Sequence, residues 1–135
     1  MFELFEHKAD VGVRGVGTSL NEAFSECAKA MYSVMVELES VDAGKDVSVK
    51  VSARNEPELL IAWLNELLFL TARKEMIFSE FEVEIKGNEL VGVARGEKID
   101  LEKHGLKTEV KGATLAGLKV LREHGRFSAE CIVDV

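Results

Sequence analysis

Two stretches of this chain repeat their apolar residues every three to four positions, and each is opened by the same kind of signal. Ser19 is followed three residues later by Glu22 and then by Ala23, Phe24, Cys27, Ala28, Met31, Val34 and Met35. Asn55 is followed by Pro57 and Glu58 and then by Leu60, Trp63, Leu64, Leu67, Leu68 and Thr71. A side-chain oxygen three positions ahead of a carboxylate is the spacing of a capping box, and a first-turn proline lacks only an N–H that would be unbonded there anyway. The spacing predicts one helix over 19–37 and a second from about 55 to about 73. Trp63 and its neighbours form one broad apolar face and read as core.

Every other patterned stretch alternates. Phe2, Leu4 and Phe5, then Val11, Val13 and Val16, predict two short strands broken near Asp10, and Val47, Val49 and Val51 predict another. "FEVEI", "ELVGVA", "TEVKGAT", "GLKVL" and "FSAECIVDV", punctuated by Gly87-Asn88, Gly105 and Gly125, read as an antiparallel meander. The expected fold is therefore α+β: a mostly antiparallel sheet with the two main helices packed on one face, a two-layer sandwich. With 135 residues and no linker-like break, the expectation is a single domain over 1–135 that buries roughly two thirds of its unfolded surface.

The longest apolar runs, such as "LLFL", are too short to span a bilayer, and "MFELFEHKAD" lacks the basic and continuous apolar regions of a signal peptide. A cytoplasmic protein is expected. Cys27 and Cys131 have no metal-ligand spacing and read as small buried residues in a reducing compartment. A formal net charge of −7 argues against a strong direct grip on nucleic-acid phosphate backbones, which need lysine and arginine, so RNA is not the first partner expected. "GVRGVGTSLNEAF" leads glycines into a helix, but it fits neither the Walker A nor the dinucleotide spacing. Gly15 and Gly17 are expected to form a tight strand-to-helix turn. His7, His104 and His124 show no zinc spacing, and no serine or cysteine sits in a recognisable nucleophile motif.

One feature resists the ordinary reading. The chain closes on "CIVDV", whose Cys-Ile-Val belongs in a buried strand, yet Asp134 lies beside the carboxylate of Val135. If the last strand pairs near the first, Asp134, Val135 and Asp10 converge. Carboxylates about 5 Å apart repel by roughly 3 kcal/mol per pair at an effective dielectric near 20. Such a cluster either takes up a proton or holds a cation, and all-oxygen ligands suit Ca²⁺, Mg²⁺ or Mn²⁺ rather than zinc. The alternative is a pair of solvated turn residues.

"EHKADVGVRGVGTSLNEAFSECAKAM" resembles the opening signature of the archease family, and "LLIAWLNELLFL", "FSEFEVEI", "ARGEKIDLEKHGLKTEVKGAT" and "IVDV" resemble its later blocks in order, over essentially the whole chain. The resemblance implies a non-catalytic accessory protein that activates an RtcB-type RNA ligase in tRNA splicing, by promoting guanylylation of the ligase and restoring multiple turnover. It implies a divalent metal site formed by Asp10, Asp134 and main-chain oxygen of Val135, with calcium the first expectation and magnesium or manganese the alternatives. His7, Glu109 and Lys111 match the family pattern and are candidates to face the ligase. Leu115 and Ala116 stand where members commonly carry a Tyr-His pair, so no role passes to them; Lys8 stands where many carry threonine, next to Asp10, and would weaken metal affinity if it leaned inward. A chaperone-like modulator of a tRNA-modifying enzyme, such as a tRNA methyltransferase, is the alternative function. A metal-dependent hydrolase is a third reading, and it lacks a recognisable base or nucleophile.

Overall fold

The computed structural model describes residues 1–135 and places both capped helices where the side-chain spacing requires them. Strands β1 (Phe2–His7) and β2 (Asp10–Gly17) precede helix α1 (Leu20–Met35) and a short 3-10 turn (Leu38–Ser40). Strand β3 (Lys45–Ser52) leads to helix α2 (Glu56–Lys74) and the hairpin β4 (Met76–Lys86) and β5 (Glu89–Lys98). The chain ends with a one-turn helix α3 (Leu101–His104) and strands β6 (Gly112–Ala113), β7 (Lys119–Glu123) and β8 (Arg126–Asp134).

The caps show how local chemistry sets these limits. Ser19 Oγ accepts the Glu22 N–H at 3.0 Å, and the Glu22 carboxylate turns back to accept the Thr18 N–H at 2.7 Å. Asn55 Oδ1 accepts the Glu58 N–H at 2.9 Å, while the Glu58 carboxylate pairs with Arg54 instead of closing the box. Each bond satisfies one of the donors that a helix N-terminus leaves free. α1 stops two residues short of the expected limit, because Val36 is extended and Glu37 begins the 3-10 turn.

The α+β class, the antiparallel pairing and the two main helices are as the sequence reading expects. The strands, however, are shared between two sheets instead of lying in one. The first runs β1-β2-β8-β6, with β7 also paired to β8, and the second runs β3-β5-β4. The expected meander is interrupted between β5 and β6, where the chain crosses from one sheet to the other. Main-chain bonds guide the crossing: Ile99 N–H to Glu75 O, Lys107 N–H to Met35 O and Thr108 N–H to Val34 O.

The helices lie against both sheets. α1 packs on β1, β2 and β8 of the first sheet and on β4 of the second, and α2 packs on β3, β4 and β5 while reaching β6 and β7. Gly15 is what lets α1 approach: a Cβ there would stand 2.1 Å from Ala23 O and 2.2 Å from Cys27 N. It is therefore a mid-strand contact with the helix backbone, and the expected tight turn at Gly15 gives way to that role. Trp63 is fully buried against Gly92 and donates Nε1–H to Phe24 O at 3.1 Å, which ties α2 to α1. Tyr32 returns the tie through its hydroxyl, bonded to Leu67 O at 3.0 Å and Thr71 Oγ1 at 2.6 Å. No buried side-chain polar atom lacks a partner, so the polar groups of this core are fully compensated. Cys27 and Cys131 are both buried free thiols, as expected. No helix is long and apolar enough to cross a membrane.

Candidate functional site

The last strand is an interior one. β8 pairs with β2 on one edge, from Val11↔Val133 to Gly17↔Phe127, and with β7 and then β6 on the other. Extending the β2–β8 register by one residue sets Asp10 opposite Asp134. β1 continues the row with His7↔Asp10, and β6 continues it on the far side with Gly112↔Asp134. The sheet thus lines up His7, Asp10, Asp134 and Gly112 across four strands.

Alternation decides which way these side chains point. Val13, Cys131 and Val133 are buried on the helix side, where Cys27 Sγ lies 3.9 Å from Val13 O. Arg14 and Glu130 stand on the opposite face, where the Arg14 guanidinium bonds Glu3 at 2.7 Å and Glu130 at 3.0 Å and lies 4.6 Å from the Phe5 ring centre. Asp10 and Asp134 share parity with Arg14 and Glu130, so both face away from the helices. Asp10 is half-buried and Asp134 exposed.

This end of the chain is docked. Asp134 O accepts the Lys111 N–H at 2.7 Å. Ile132 O accepts both the Thr114 N–H at 3.0 Å and the Thr114 hydroxyl at 2.8 Å, and Ile132 N–H reaches Ala116 O at 3.1 Å. Val135 is half-buried and packs against the core. Two like charges directly opposite on neighbouring strands oppose the pairing that holds them. No ion pair engages either carboxylate.

Hard oxygen donors on an exposed sheet end fit a divalent cation of the calcium or magnesium kind. No group of three His, Cys, Asp or Glu side chains is gathered anywhere in the molecule. An ion held there by the set that the family resemblance implies would take the carboxylates of Asp10 and Asp134 and main-chain oxygen of Val135. Most of its coordination sphere would stay open to water or to a partner's ligands.

The remaining candidates flank the row. His7 is exposed on β1, beside Asp10. Glu109 and Lys111 are exposed on the segment entering β6, with buried Val110 between them, so both side chains lie on the solvent side. Lys8 sits at the tip of the β1–β2 hairpin with φ 54°, exposed. The glycine-rich lead into α1 is not a phosphate site: the Glu22 carboxylate already occupies the Thr18 N–H and puts negative charge where an anion would bind.

Two features escaped the sequence reading. His104 is buried, its Nδ1 accepting the Asp100 N–H at 2.9 Å, so its proton is on Nε2, which donates to Glu97 at 2.8 Å. Glu97 also accepts from Asp42 N–H and from Lys103, and these donors hold its carboxyl down at about 2. The Asp100 cap was the available signal, four positions before His104. The second is Asn65, which bonds the main chain of Ala113 from α2. Nothing in its sequence context marks it.

Residues 2–135 match the model of the Archease protein family (MTH1598/TM1083). Protein archease of Pyrococcus furiosus is 36% identical over 139 residues, covering 99% of this chain and 98% of its own. Protein archease of Methanopyrus kandleri is 38% identical over 138 residues, with 99% of each covered. The solution structure of Methanobacterium thermoautotrophicum protein 1598 is similar with a TM-score of 0.87 at 36% identity, covering 99% of this chain and 98% of that one. The crystal structure of a Thermotoga maritima archease, described as a possible chaperone, has a TM-score of 0.59 at 19% identity, covering 98% and 96%; at that identity the likeness concerns the fold alone.

Proposed function

Because this chain belongs to the archease family, we propose that it is a non-catalytic accessory protein that activates an RtcB-type RNA ligase in tRNA splicing. It promotes guanylylation of the ligase and so restores multiple turnover. The observation that carries this reading is the opposition of Asp10 and Asp134 on the exposed end of the first sheet, beside Val135. These three residues would hold a divalent ion, calcium first, with magnesium or manganese as alternatives. Such an ion, when bound, supplies positive charge for phosphate oxygens or for acidic groups of the partner.

The chain's own contribution is positional. The β2–β8 pairing, which runs up to Val11↔Val133, brings Asp10 and Asp134 to the same end of the sheet on its outward face. His7 and Lys111 flank the row and, with Glu109, are the residues proposed to meet the ligase. A net charge of −7 complements a basic, RNA-binding partner and speeds encounter with it, while direct tRNA binding stays weak. A cytoplasmic setting suits both the free thiols and such a partner.

The test is RNA joining by the cognate ligase under multiple-turnover conditions, with catalytic amounts of this protein. The unaltered protein should activate, and Asp10→Ala and Asp134→Ala should not, with folding intact by circular dichroism. Full activation by the double variant refutes the metal-dependent mechanism. Failure of the unaltered protein to activate favours the alternative, a chaperone-like modulator of a tRNA-modifying enzyme such as a tRNA methyltransferase. One surface suits that alternative: β1 is an edge strand without an outer partner, and Phe2 and Leu4 on it are 36% and 48% exposed.

A further inference from the structure

β6 is only two residues long, yet it is the outer neighbour of Asp134. So short a strand has few ladder bonds of its own, and its hold on β8 has to be reinforced from elsewhere. The reinforcement comes from α2. Asn65 Oδ1 accepts the Ala113 N–H at 2.9 Å, and Asn65 Nδ2 donates to Ala113 O at 3.4 Å. Its carboxamide takes the place of a further strand, engaging both main-chain groups of Ala113. The bonds to β8 start on either side of that residue: Lys111 N–H to Asp134 O at 2.7 Å, and Thr114, by N–H and hydroxyl, to Ile132 O.

We infer that Asn65 is a positioning residue for the ion site: it fixes β6, β6 fixes the main chain at Asp134, and Asp134 and Val135 meet Asp10 already ordered. The inference rests on the ion site proposed above. Chain ends fray unless tied down, and a frayed end would have to be ordered by the ion itself, which weakens binding. Asn65 has no competing role that explains it. It is exposed, so it adds nothing to the face of α2 that carries Leu60, Trp63, Leu64 and Leu67. Within a helix asparagine is a poorer former than alanine, glutamate or lysine.

The experiment compares the unaltered protein with Asn65→Leu and Asn65→Asp. Calcium alone is titrated by calorimetry, and amide hydrogen exchange at Lys111 and Ala113 is followed in the ion-free protein. Asn65→Leu should weaken calcium binding about tenfold, the low end of what outer partners of metal ligands contribute. It should also speed exchange at both amides while leaving helix content and the exchange of β2 unchanged. Asn65→Asp keeps an acceptor for the Ala113 N–H and should restore slow exchange there. Unaltered calcium affinity in Asn65→Leu overturns the inference and leaves the ion site standing. Absence of uptake of calcium, and of magnesium and manganese titrated in its place, by the unaltered protein removes the ion site, and this inference with it.

Discussion

Adding a single methyl group at Gly15 should do more damage than most core truncations. An alanine Cβ there would stand 2.1 Å from Ala23 O and 2.2 Å from Cys27 N, and both are backbone atoms of α1. Neither can rotate away, so the whole helix has to move off β2 by at least about 1.3 Å to reach ordinary contact distance. That gap opens beneath Phe24, Cys27 and Met31, all fully buried. A displacement of this size forfeits about half of the contact energy of the atoms it separates. Taking roughly 1.5–3 kcal/mol for burying each of these side chains, the loss is about 3 kcal/mol. Gly12→Ala is the internal control. Its Cβ would meet the Phe5 ring at 2.2–2.4 Å, but that ring is half-buried on the outward face and can swing aside, so about 1 kcal/mol is expected. Equilibrium urea unfolding with a shared slope measures both. In a thermal melt Gly15→Ala should lower the midpoint by about 10 °C. A Gly15→Ala protein within about 1 kcal/mol of the unaltered one would refute the close helix–strand contact as the reason for glycine here.

Two further outcomes follow from buried and bonded ionisable groups. The Asp42 N–H, with Lys103 and His104, holds the Glu97 carboxyl at about 2, below its ordinary 4.5. The folded value lies below the unfolded one, so this stabilisation is complete above about pH 4.5 and is lost as the pH falls towards about 2. Glu97→Gln should flatten the dependence of stability on pH in that window, and an unchanged acid limb would show that the cluster does not couple to folding. Burial pushes the Cys27 thiol well up and the Cys131 thiol up to about 12. Both should resist a thiol-specific disulfide reagent at pH 8 in the native protein and react at once in urea. Rapid labelling of either native thiol would contradict the packing of α1 on β8.

Much of the local structure is legible along the chain, because the forces that set it act over a few residues. Ser19 and Asn55 cap their helices by bonds to residues three positions on, and Pro57 sits in the first turn of α2. The β4–β5 and β7–β8 hairpins turn at Gly87 and Gly125, both with positive φ. Where the reading went astray, the cause lay across the fold. Gly15 and Gly17 just ahead of a helix suggest a turn, but what makes Gly15 necessary is a helix backbone lying over it. The sequence shows only that His104 has no zinc spacing, since its partner Glu97 is seven positions away and belongs to a different element. A single sheet was expected because alternation says that a residue is in a strand and is silent about which strand it joins.

The candidate site divides along the same line. By itself the sequence determined that Asp10 sits where two short strands meet, that Asp134 ends an apolar strand, and that the chain resembles the archeases from end to end. Those statements depend on residue identity, spacing and order alone. Only the tertiary structure decided that β8 lies between β2 and β6, that Asp10 and Asp134 share a cross-strand row and an outward face, and that Asn65 reaches across from α2 to support it. The physical reason is distance along the chain. Asp10 and Asp134 are brought opposite each other by the pairing of strands from its two ends, and that pairing is selected by the burial of Val13, Cys131 and Val133 beneath α1, an arrangement no window of local sequence contains.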